Sequence, residues 1–207
     1  MNQALAVWLS LCLIWGSTWI FIKLGLRDLP PVTFAGARFL LAAILLWLYV
    51  WARRQPLPRT LNQWGWIVLT SLAFTLNYGL LFWGEQRISS GLTAVLQATI
   101  PAFGFLLAHY FIPGERITPL KFVGLALGLL GVGVIFSNQL NLAGRDALWG
   151  SFAIVAGSCA AAGSNIIVKR TCQSVSPASL AAAQMTVGVI PLLTFGGCYE
   201  TNLLRLK

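Results

Sequence analysis

Long apolar runs of about twenty residues alternate along the chain with short polar or proline-rich punctuation. A helix rising 1.5 Å per residue needs about 20 mostly apolar residues to cross a bilayer's hydrocarbon core. By that measure the pattern predicts seven spans, near 4–26, 32–52, 64–83, 90–112, 119–136, 147–168 and 178–197. The intervening segments carry turn chemistry: Pro30-Pro31, then 53–62 with Pro56 and Pro58, 85–90, 113–119, 138–146 and 169–177. Connections this short make neighbouring spans antiparallel. Thr118 followed by Pro119 reads as an N-cap and a proline at the first helical position, and Asp146 reads as a cap for the sixth span.

A second regularity lies on top of the first. Cys12, Gly16 and Ser17 recur as Cys159, Gly163 and Ser164 at an offset of 147. One deleted residue later the offset is 146, pairing Lys23 with Lys169, Pro31 with Pro177 and Arg38 with Gln184. The pattern predicts an internal repeat, complete over 4–137 and partial over 147–207. The first copy holds five spans, an odd number, so the second begins on the opposite face. That is an inverted-topology repeat, a common architecture of secondary transporters.

Composition agrees with lipid as the main solvent. Residues are 57% hydrophobic and only 9% charged, against about 25% charged in soluble domains. The expected fold class is therefore all-α integral membrane, with about seven transmembrane helices. The net charge of +9 changes the picture in one respect only. The bases lie singly or in pairs between apolar runs, with no basic stripe, so they report topology rather than a nucleic-acid partner. Arg53, Arg54, Arg59, Arg116, Lys121, Lys169 and Arg170 fall on one side; Arg27, Arg87 and Arg145 fall on the other, where the tail adds Arg205 and Lys207. The richer side is expected in the cytoplasm, which puts the N-terminus inside. Met-Asn-Gln offers no basic leader region and no clear A-x-A site follows, so the first run reads as a retained span. With five acids and one histidine, and no Walker A, G-x-S-x-G, zinc spacing or C-x-x-C, neither enzyme chemistry nor a cofactor nor a metal is expected.

Polar side chains inside spans are costly in lipid and therefore informative. Arg38, a third of the way into span two, either meets a carboxylate or anionic group or snorkels to the headgroups. Lys23, nearer a span end, snorkels more easily. Glu85 closes the third span: it is either a titratable group facing a cavity or an interfacial carboxylate paired with Arg87. His109 is either a proton relay or an interfacial histidine. In span four Pro101 cannot donate to the carbonyl of Gln97, and Thr93, Gln97 and Pro101 at i, i+4 and i+8 share a helical face. The result is either a kinked, mid-membrane substrate contact or a packing kink. Trp15, Thr18, Trp19 and Ile22 form one stripe of span one, and Gly16-Ser17-Thr18 offers close backbone approach. Asn77 and Tyr78 put polar groups in the middle of span three. Gly124, Gly128 and Gly131 in span five, and the small residues of 156–163, predict tight helix packing.

Words spread through the first five spans carry a family resemblance. W-G-S-T-W-I-F-I-K-L-G, P-P-V-T-F-A-G-A-R-F-L-L-A-A, S-S-G-L-T-A-V-L-Q-A-T-I-P, P-G-E-R-I-T and K-F-V-G-L-A-L-G-L-L-G-V occur in order between Trp15 and Val132. Together they resemble an EamA-type domain of the drug/metabolite transporter superfamily, and spans six and seven resemble the start of a second one. The resemblance implies ten helices in two inverted repeats around a central cavity, and export of amino acids, other metabolites or drugs, often proton- or exchange-driven. Against that pattern the chain is expected to be a truncated form, lacking three helices. Short multidrug members of the superfamily act as dimers, which implies a homo-oligomer by analogy. The implied function is an inner-membrane exporter of small molecules in contact with membrane lipids. Its substrate would sit beside Trp15, Thr18, Asn77, Tyr78, Gln97 and Pro101, with Glu85 and Arg38 in coupling or charge recognition. The alternative is a non-transporting membrane subunit or inactive fragment, whose polar residues only hold helices together.

Overall fold

A computed structural model describes residues 3–115 and 117–200. Arg116 and the tail bases Arg205 and Lys207 lie outside the described residues. Every regular element among those described is helical: α1 (Gln3–Gly25), α2 (Pro31–Ala52), α3 (Leu61–Glu85), α4 (Ser90–Gln97), α5 (Ile100–Phe111), α6 (Pro119–Thr171) and α7 (Pro177–Phe195), then a π-helical turn, Gly196–Glu200. Six segments are long and apolar enough to cross a membrane, and Pro119–Val134 is a shorter apolar seventh.

Local chemistry sets the helix starts. Prolines occupy the first turns of α2, α6 and α7, where their missing N–H leaves no bond unmade. α3 begins at Leu61, earlier than hydropathy predicts, because Thr60 and Gln63 form a capping box: Thr60 Oγ1 accepts from Gln63 N and Gln63 Oε1 accepts from Thr60 N, both at 3.2 Å. Thr118 caps α6 as its sequence predicts, accepting from Lys121 N at 3.4 Å. The span 90–112 breaks at Ala98-Thr99, where Thr99 N donates to Leu96 O at 3.1 Å and Pro101 opens a new helix.

One prediction fails at 138–146. The backbone there is helical, not a loop, and α6 runs unbroken through Asp146, which caps nothing. Yet α6 is not straight. At 1.5 Å per residue a straight helix would set its ends about 75 Å apart. Instead Lys169, near its end, is bonded at 2.7 Å to Glu115, just before its start. Val132 and Gly133 also line the same cavity as Leu148 and Phe152. The two apolar segments Pro119–Val134 and Arg145–Thr171 therefore lie side by side and antiparallel, as a first arm and a second arm of α6.

The second arm packs antiparallel along α3 through small residues spaced by seven. Gly84 faces Gly150, Asn77 faces Gly157, and Thr70 faces Ser164, whose Oγ donates to Thr70 O at 3.0 Å. A Cβ on Gly84 would lie 2.6 Å from Gly150 O, and one on Gly157 would lie 3.1 Å from Asn77 O. A seven-residue period keeps one seam facing its partner along both helices. α2 and α7 pair in the same antiparallel sense, with Gly36 against Leu193 and Gly188 against Phe39. The two pairs share one apolar core around Phe39, Leu81, Phe82, Leu96 and Ile154.

Two expectations of close packing do not hold. A Cβ at Gly124, Gly128 or Gly131 would meet nothing within 4 Å, and Gly124 and Gly128 border an open cleft beside α5 rather than a close helix contact. Gly16 is equally open, since α1 touches the bundle mainly near its C-terminal end, through Trp19 and Ile22. The hydroxyls of Ser17 and Thr18 bond back to their own helix, at Leu13 O and Ile14 O, each at 2.7 Å.

Candidate functional site

α3 is the polar spine of the bundle, and the side chains it carries inward fall into two layers. The deeper layer is hydrogen-bonded across helices. Gln97, on the last turn of α4, donates from Nε2 to Asn77 Oδ1 at 3.3 Å, and both residues are buried. One helical stretch further toward the α3 start, Gln184 of α7 donates to Thr70 Oγ1 at 3.0 Å. Thr75 Oγ1, between these two pairs, is buried without a partner. Tyr78 packs in an aromatic group, its ring centroid 4.8 Å from both Phe39 and Phe74.

The second layer lies at the C-terminal end of α3. Glu85 is fully buried and neither carboxylate oxygen has a hydrogen-bond partner. Arg87 does not pair with it: Nη1 donates to Trp83 O at 2.7 Å and the guanidinium stacks on the Trp83 ring at 3.6 Å. Arg38 rests over the Phe82 ring at 5.6 Å. Lys23 does not snorkel outward. Its ammonium donates to the backbone carbonyls of Glu85 and Ile88, the latter at 2.6 Å. The charges of Lys23 and Arg38 both act on the Glu85 carboxylate without touching it. A buried carboxyl group with both oxygens open can exchange a proton or take a hydrogen bond from a ligand, while the two nearby cations favour its charged form.

The structure brings only some of the expected site residues together. Asn77 and Gln97 meet, and Tyr78 lies one residue along the same helix. Arg38 and Glu85 share the second layer. Trp15 is 72% exposed and far from either layer, and Thr18 is spent on its own helix. Thr93 and Gln97 are buried but Pro101 is exposed, because the break at Ala98-Thr99 rotates α5 away from the α4 face. His109 is exposed, with Nδ1 3.3 Å from Glu115 O in the loop before α6.

Lys23, expected to snorkel, instead anchors the end of α3, and one functional-looking group escapes the sequence altogether. That group is Glu200. Its Oε1 accepts from Val32 N and its Oε2 from Thr33 N, each at 2.8 Å, and Thr33 Oγ1 donates to Oε2 at 2.7 Å. The carboxylate thus sits on the positive end of α2. Pro30, the N-cap residue of α2, offers no side-chain acceptor, and that vacancy was legible. Which acid fills it was not.

On the other side of the bundle the Lys169 ammonium, hydrogen-bonded to Glu115, holds the Glu115 carboxyl below the ordinary carboxylate range.

Comparison with known proteins adds the context. The EamA-like transporter family model matches residues 3–137. "Uncharacterized transporter YoaV" of Bacillus subtilis is 30% identical over 93% of this chain and 66% of its own length. "Uncharacterized inner membrane transporter YedA" of Escherichia coli is 31% identical over 89% of this chain and 59% of its own. "Uncharacterized transporter sll0355" of Synechocystis is 28% identical over 87% and 59%. The chain thus spans less than two thirds of the curated relatives it matches. No solved structure matches it.

Proposed function

We infer the function of this chain from its family: it belongs to the EamA-like transporters, and it is a multi-pass membrane protein. It transports a small molecule, as an exporter of amino acids, other metabolites or drugs, across the bacterial inner membrane with its N-terminus in the cytoplasm. The observation that carries this reading is the Glu85 carboxylate, buried inside a span with both oxygens open. A resting membrane protein gains nothing from such a group; a cycle that loads and unloads a proton or a cationic ligand needs one.

Asn77 and Gln97 supply a matched amide pair that exchanges its mutual bond for bonds to a polar substrate. Arg38 and Lys23 set the field at Glu85, and Tyr78 offers an aromatic wall. The antiparallel pairing of α3 with the second arm of α6, and of α2 with α7, supports reading residues 147–207 as the opening of an inverted second repeat. The YedA name supports the inner membrane, and the excess of bases in the 53–59 and 169–170 loops supports the cytoplasmic side.

The test is export in cells that depend on it. Gln97→Ala and Glu85→Gln should each lower export by about ten-fold or more at normal membrane levels, the scale of one buried hydrogen bond or charge. Unchanged export of every solute tested would sink both assignments.

A further inference from the structure

Away from the α3 seam, α4, α5 and both arms of α6 form an open groove of about 830 Å³. Leu96, Phe103, Leu106, Leu129 and Phe152 make its wall apolar almost throughout. Three polar residues depart from that lining: Thr99, whose hydroxyl is spent on Leu96 O at 2.6 Å, Arg145 and Ser151. Arg145 stands at the start of the second arm of α6, exposed, and among the described residues no carboxylate lines the groove with it. Ser151 lies six residues on, about 9 Å deeper along the helix. It is 2% exposed and its hydroxyl has no hydrogen-bond partner.

That free hydroxyl is the unusual feature. Serines in apolar helices normally bond back to the preceding turn. Ser158 on the same arm does so, donating to Ile154 O at 2.9 Å, and Ser164 donates to Thr70 O. Ser151 lines the groove instead, and its buried hydroxyl finds no acceptor among the described residues.

We propose that this groove binds one membrane phospholipid. The phosphate takes the Arg145 guanidinium, an ester carbonyl accepts from Ser151 Oγ, and one acyl chain lies along Leu129, Phe103 and Leu106. Three features select this occupant. The single unopposed cation suits an anionic head. The depth from Arg145 to Ser151 matches the step from phosphate to glycerol ester, given the reach of an arginine side chain. The rest of the wall offers a hydrocarbon chain only dispersion contacts. A free phosphate would use none of that wall. The groove shares no residue with the Glu85 and Asn77–Gln97 layers, so the lipid is a resident of the bundle and not cargo of the proposed transport.

Native mass spectrometry of the purified full chain in detergent tests this, with phosphatidylglycerol and diacylglycerol as paired probes. One phosphatidylglycerol should stay bound per chain, held about ten-fold more tightly than diacylglycerol, the scale of a charge-assisted contact. Arg145→Gln should remove that preference, and Ser151→Ala should weaken both lipids severalfold. Leu129→Trp, which fills the groove with Arg145 intact, should abolish retention. Arg27→Gln, a base outside the groove, should change nothing. Circular dichroism checks that each variant keeps its helices. Equal binding of the two lipids by the native chain, or full retention in Leu129→Trp, overturns the proposal and leaves only bulk lipid contact.

Discussion

Three backbone carbonyls at the end of α3 would face lipid or water unmatched were it not for Lys23, whose ammonium gathers Glu85 O, Gln86 O and Ile88 O. Glu85 O and Gln86 O are orphan acceptors of the α3 C-terminus, where a cation is also favoured by the helix dipole, and Ile88 O belongs to the turn that follows. Lys23→Met should therefore lower the thermal stability of the detergent-purified chain by about 1 kcal/mol, the cost of losing bonds to part-buried acceptors. Lys23→Arg, which keeps the charge, should recover most of the loss. Glycines give a paired prediction at the same scale. Gly157→Val pushes methyl groups into the Asn77 backbone and should cost about 1–3 kcal/mol through overpacking. Gly124→Val meets nothing within 4 Å and should change stability by no more than about 0.5 kcal/mol. Thermal denaturation of the two variants side by side decides whether the seven-residue seam, not the G-x-x-x-G of the fifth span, is where the helices touch.

At the scale of elements, the doubled-back α6 is the feature to test. Leu129 and Phe152 line one groove, although a straight helix would set them about 35 Å apart. In a cysteine-free background, Leu129→Cys with Phe152→Cys should cross-link through a short bis-maleimide; failure of the pair to react in the folded chain refutes the reversal. The same geometry closes the far end, where Glu115 and Lys169 form an ion pair at 2.7 Å. Its pH dependence has a definite sign. Glu115 has a folded pKa depressed from its ordinary value of 4.5, so the pair contributes fully above that value. The contribution is lost as pH falls through the lower folded value. Thermal stability measured from pH 6 downward should fall in the native chain, and Glu115→Gln should remove that component of the fall. Both side chains are partly exposed, so added salt should shrink the difference.

On the scale of the whole molecule, the proposed orientation predicts labelling. A cysteine placed at Arg59 should react with an impermeant maleimide only after the cytoplasmic face is opened, and one at Asp28 should react from outside in intact cells. The reverse pattern would invert the topology. The layout of the bundle also explains why α1 carries so many exposed apolar side chains, Trp15 among them. The core is built from the α2–α7 and α3–α6 pairs, and α1 joins it only through its last turns. The motif W-G-S-T-W, which marks the family in the sequence, thus lies largely outside the packed core of this chain.

Spans, most of their borders to within a few residues, the caps at Thr118 and the prolines, the break near Pro101 and the family were legible along the chain; the border between the fifth and sixth spans was not. Each rests on local properties: run length, hydropathy, a capping side chain, a missing N–H. What a polar residue in a span does was legible only as a set of alternatives. Gln97 became half of an amide pair, Arg87 turned from Glu85 to Trp83, and Glu200 settled on α2. Those outcomes depend on which helices lie side by side and at what rotation, and partners such as Thr33 and Glu200 are 167 residues apart. A helix break rotated Pro101 away from Gln97. By itself the sequence determined a seven-segment membrane protein of transporter type, because solvation by lipid acts residue by residue. Only the tertiary structure decided which buried groups meet and which, like Glu85 and Ser151, are left open, because packing acts on pairs that the sequence holds far apart.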